Sequence, residues 1–125
     1  MKQTILVLIA AFAFTIHGFS QENCEVLHHC KLQSVDGDDP TSYVIIDGEN
    51  HTEYMNDEKF YIKSKLDWTD ECSYRMTIVE MYYPGFPFGP GETMIVKIDK
   101  IKGDKVYLTG TVRGKAFESK YKIVK

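Results

Sequence analysis

FYIKSKLDWTDECSYRMTIVEMY, residues 60–82, is the stretch whose reading decides the fold. Phe60, Ile62, Ser64, Leu66 and Trp68 fall on one parity, and Tyr61, Lys63, Lys65 and Asp67 on the other. Successive side chains of a strand point to opposite sides, so this is a strand with one buried face. After the polar break Thr69-Asp70-Glu71 the alternation resumes, with Cys72, Tyr74, Met76 and Ile78 set against Ser73, Arg75 and Thr77. Two such runs around a short polar turn predict an antiparallel hairpin whose indole, thiol and phenol share the core side.

Working outward, the same reading extends over the rest of the chain. Upstream, Glu25 to Ser34 reads as a strand, the cluster Val35 to Pro40 as a turn, and Thr41 to Ile46 as a strand ending at Asp47-Gly48. His51 to Met55 is a short strand followed by Asn56-Asp57. Downstream, Tyr83 to Gly91 holds three prolines and three glycines, which deny it a ladder or a helix. Met94, Val96 and Ile98 alternate against Lys97 and Asp99. Val106, Leu108, Gly110 and Val112 follow, and then Phe117, Tyr121 and Ile123. About eight short strands at regular spacing predict an all-β fold, and consecutive hairpins favour a small antiparallel up-and-down barrel, since closure removes exposed edges.

The first residues, MKQTILVLIAAFAFTIHGFS, carry one lysine, an apolar run and then small and polar residues. The run is short for a membrane span and reads as a cleaved secretory signal over 1–20, with residues 21–125 as a single domain. Secretion or residence in a periplasm follows from it. Loss of Lys2 takes the formal charge from −3 to −4. This mild, interspersed acidity speaks against nucleic acid, which rewards clustered Lys and Arg.

The pattern Trp68-x-x-x-Cys72-x-Tyr74, an upstream Cys24 just after the signal, and an ending in Ile-Val-Lys resemble a family of small secreted bacterial proteins. These are similar to shortened lipocalins and mostly uncharacterised. Some carry a type II topoisomerase label that a chain this short and acidic does not support. The Gly-x-Trp of the lipocalin first strand is absent, so the resemblance implies the barrel more than a carrier's role.

Three cysteines in an exported chain allow one disulfide and leave one thiol. If the chain from Glu25 is extended, Cys24 and Cys30 lie roughly 20 Å apart, beyond bonding reach. Cys30 and Cys72 share the inward parity, but their bond needs neighbouring or facing strands. Cys24 sits ahead of the first strand, where the backbone is free to move, and the resemblance points the same way. The expectation is Cys24–Cys72, with Cys30 a buried free thiol.

Cys24-x-x-x-His28-His29-Cys30 is the most chemical-looking stretch. Adjacent histidines on a strand face opposite sides, however, and a closed zinc site wants four convergent ligands. No nucleophile motif or phosphate-binding loop occurs. No catalytic residue, metal or cofactor is therefore expected. The functional expectation is a non-enzymatic binding or interaction module with a solid core, acting through loops. Tyr82, Tyr83, Phe86 and Phe88 are candidate contacts for an unknown protein or surface glycan, unless these rings fold back to plug one mouth. The alternative is a lipocalin-like carrier of a small apolar ligand, and more distantly a metal- or thiol-dependent enzyme.

Overall fold

The computed structural model describes residues 23–125, so the expected signal over 1–20 lies outside the described residues. Eight antiparallel strands follow in chain order: β1 His29–Ser34, β2 Tyr43–Asp47, β3 Asn50–Met55, β4 Phe60–Asp70, β5 Ser73–Tyr82, β6 Thr93–Lys102, β7 Lys105–Val112 and β8 Lys115–Val124. Each pairs with the next, and β1 also pairs with β8, closing the barrel. Leu32 lies opposite Val44 on one side and Ile123 on the other, at the seam. The expected up-and-down barrel is the observed fold.

Alternation dictates which wall faces inward. On β4, Ile62, Ser64 and Leu66 are buried while Lys63, Lys65 and Asp67 are exposed. Charged outward residues on such strands are the reverse of the lipid-facing band of a membrane barrel.

One expectation needs correction. Glu25–His28 is not the start of a strand but a single 3-10 turn. Leu27 N–H donates to the Cys24 carbonyl at 2.9 Å, and the turn buries Leu27 and exposes Val26, opposite to the strand parity. The disulfide holds Cys24 across the barrel end, and a turn covers that end where an extended chain would run past it. Phe117 faces the interior as its parity implies, but it lies at the mouth and stays 44 % exposed. It stands opposite Gly110 on β7, and a Cβ there would come within 2.8 Å of the ring. The ring thus fills the space that the glycine leaves.

Bulges reset the parity at three places. Between the pairs Lys63–Glu80 and Ser64–Ile78, β5 carries the extra residue Val79. Strict alternation would turn Glu80 inward after Ile78; the bulge turns it out, where it accepts a hydrogen bond from the Tyr61 hydroxyl at 2.9 Å. Similar shifts occur at the end of β4 and between Ile98 and Lys100.

Candidate functional site

The two ends of the barrel are built differently. At one end Cys24 bonds to Cys72, both cysteines lying against the larger apolar cluster with Leu27, Leu32, Ile46 and Leu66. The His28 ring stacks on Trp68 with centroids 3.6 Å apart. The Trp68 indole N–H donates to the Gly48 carbonyl at 2.9 Å, which fixes its plane. This end is shut by a disulfide, a turn of chain and a stacked ring pair.

The other end is covered by the loop between β5 and β6. Its aromatic residues form a row: Phe60 stacks on Tyr83 at 5.4 Å, Tyr83 on Phe86 at 5.2 Å, and Phe86 meets Phe88 edge-on at 5.7 Å. Tyr83, Phe86 and Phe88 are half-buried and pack on the smaller apolar cluster of Met55, Ile62 and Ile78. Of the four candidate contact residues only Tyr82 points outward, 55 % exposed. Arg113, in the turn between β7 and β8, lies 5.3 Å from the Phe88 ring centroid and holds Glu92 at 2.6 Å. That ion pair fastens the far end of the loop to the rim.

Between the two clusters lies a cavity of about 320 Å3. The expected solid core is therefore not what forms. Trp68, one of the rings expected inside, is engaged at the closed end, while Tyr74, Met76 and Phe117 line the hollow without filling it. The small side chains of Ser64 and Ser119 leave space along the walls. A second hollow of about 270 Å3 lies under the loop of residues 34–42 and shares Glu53 and Phe86 with the first.

The chamber wall is mostly apolar, with Glu92 and Ser119 among its polar members and one polar belt on β3 and β4. His51 lies directly opposite Ser64, and Glu53 two residues along β3 faces the same way. His51 is 8 % and Ser64 3 % exposed, and neither His51 Nδ1 nor Ser64 Oγ has a hydrogen-bonding partner. Burial pulls the imidazole down to about 4, so it is neutral at physiological pH. Glu53 is half-buried and lines both hollows, yet enough protein surrounds it that burial pushes its carboxyl up. Among the described residues no cation lies within ion-pairing distance of it, and neither hollow is lined by Lys or Arg. Burial first, and then the Glu53 charge among others, raises the phenols of Tyr74 and Tyr121, which also line the chamber.

Cys30 is free and half-buried, its thiol donating to the Leu27 carbonyl at 3.4 Å. Burial pushes it up to about 11, which keeps it a thiol and a poor nucleophile. Among the described residues no three His, Cys, Asp or Glu side chains gather as a metal site would require. His28 and Cys30 serve packing at the closed end, and His29 pairs with Asp47 on the outside at 2.9 Å.

The sequence placed Ser64 inward but gave no weight to His51 and Glu53. The signal was present: Met55 is an apolar residue ending their strand, and its parity carries His51 and Glu53 to the same side. Wider comparison adds no relative to this geometry: no family model, no curated protein and no solved structure matches the chain.

Proposed function

We propose that the protein is a non-enzymatic binding protein that holds one small, largely apolar molecule inside the barrel, beneath the aromatic loop. The observation that carries this reading is the partly open chamber of about 320 Å3 with unpartnered His51 Nδ1 and Ser64 Oγ in its wall. Small-molecule sites are apolar hollows of roughly 300 Å3 or more with a few convergent polar groups. A buried polar atom left unpaired costs stability, so a wall selected for folding alone favours apolar residues there. The closed eight-stranded barrel suits such a role, since barrels of this size can hold one small ligand. The disulfide suits a compartment outside the cytoplasm, in keeping with the signal read over 1–20.

Native mass spectrometry of protein recovered from its own host tests the reading. A retained small molecule is expected, released on denaturation and missing from Ser64→Leu, whose larger side chain fills the chamber. A bare polypeptide from the wild type, preparation after preparation, would overturn it.

Docking of the loop to a partner protein or surface glycan is the second reading. Tyr82, the exposed member of the aromatic set, supports it. Loss of a co-purifying partner on Tyr82→Ser, with the chamber still occupied, would favour that surface.

A further inference from the structure

Resting on the interior-binding reading, we propose that the chamber selects a small alkyl or arylalkyl amine. Its ammonium sits on the Glu53 carboxylate within reach of His51 Nδ1 and Ser64 Oγ, and its hydrocarbon body lies under Phe86 and Phe88.

Charge carries the argument. The chamber holds two carboxylates, Glu53 and Glu92, and no Lys or Arg in its lining. Glu92 already has its counter-ion in Arg113 at 2.6 Å. Glu53 has none, although buried charges are ordinarily paired. A fatty acid or other carboxylate entering here would leave its own charge uncompensated and bring it up to Glu53. An ammonium supplies the missing cation and three N–H donors.

The neighbours of Glu53 suit those donors. His51 and Glu53 rise from one face of β3 about 7 Å apart along the strand, and Ser64 stands across from His51 on β4. A neutral imidazole offers a lone pair, and a hydroxyl rotates to present one, so both unpartnered atoms can accept from the same head group. The phenol rings of Tyr74 and Tyr121 line the same chamber, and aromatic rings are favourable neighbours for a cation. The apolar remainder, Ile62, Ile78, Phe86, Phe88 and Val96 among it, matches a hydrocarbon body. Burial raises the Glu53 carboxyl, and a seated ammonium opposes that shift.

The test uses two matched series on protein freed of co-purifying molecules by unfolding and refolding under oxidising conditions. One is 2-phenylethylamine, 2-phenylethanol and phenylacetate; the other is hexylamine, hexanol and hexanoate. Titration calorimetry, with chemical-shift mapping to His51, should find each amine binding ~10-fold or more tighter than its alcohol, with each carboxylate weaker still. Glu53→Gln should erase the preference for amine over alcohol. Alcohols or carboxylates that bind as tightly as the amines, or a preference that survives Glu53→Gln, would overturn the amine assignment and leave interior binding standing. If no compound of either series binds the wild type, the amine assignment is overturned, while interior binding stands or falls with the molecule retained in native mass spectrometry. The wild-type ranking decides the matter even where the variant folds poorly.

Discussion

At the scale of single residues, the belt inside the barrel sets how the fold responds to acid. The His51 imidazole titrates near 4 in the folded chain against an ordinary 6.5, because burial penalises its charged form. Above 6.5 it is neutral in both states. Between 6.5 and 4 the unfolded chain takes up a proton that the barrel refuses, so stability falls as pH drops through that window and levels off below it. The full effect is roughly 3 kcal/mol. Glu53 acts in the opposite sense. Its raised carboxyl contributes fully below the ordinary value of 4.5, and that contribution is lost as pH rises through its folded value. Urea unfolding from pH 4 to 7 should therefore show a slope that His51→Gln flattens and Glu53→Gln steepens. An unchanged profile in His51→Gln would mean that the ring is not buried as described. The burial of Ser64 was legible from alternation, because parity needs only a strand. The isolation of its hydroxyl was not, because that depends on what the opposite strand presents.

At the scale of elements, the loop between β5 and β6 works as a cover. Its rings pack on Met55, Ile62 and Ile78, so replacing Phe86 and Phe88 together by Ser exposes that small cluster. Removing two partly buried rings should lower stability by about 2–4 kcal/mol, less than full core truncations would. It should also speed ligand exchange, read as faster dissociation in stopped flow. An unchanged melting temperature would instead return the loop to the role of a free docking surface. The sequence displayed the aromatic residues and the breakers that make this a loop. It did not show which way the rings turn, because nothing local decides between a mouth and a partner. Bulges escaped the reading for a related cause. Val79 is an ordinary strand residue, and only its lack of an opposite number on β4 turns Glu80 outward.

At the scale of the whole molecule, the barrel's architecture was readable because eight alternating runs joined by hairpins leave few other ways to bury one face. The hollow was not, since it depends on where Trp68 and Phe117 finally lie. The disulfide spans 48 residues of sequence, and closing a loop of that length restricts the unfolded chain by about 4 kcal/mol in the entropic account. Unfolding under reducing conditions should show a loss of that order. A loss below about 1 kcal/mol would mean that the turn and the His28–Trp68 stack hold the closed end unaided. The seam between β1 and β8 has a further consequence, in the order of events as the chain folds. β1 can pair with β2 early, but its other edge waits for β8, the last strand to be made. Cys24 and Cys72 are both present well before that moment, and so is Cys30, unsheltered until its strand is closed in. The productive oxidation thus competes with two wrong ones during the interval before the circle closes, and Cys30→Ser should shorten the road to the native bond without changing its destination.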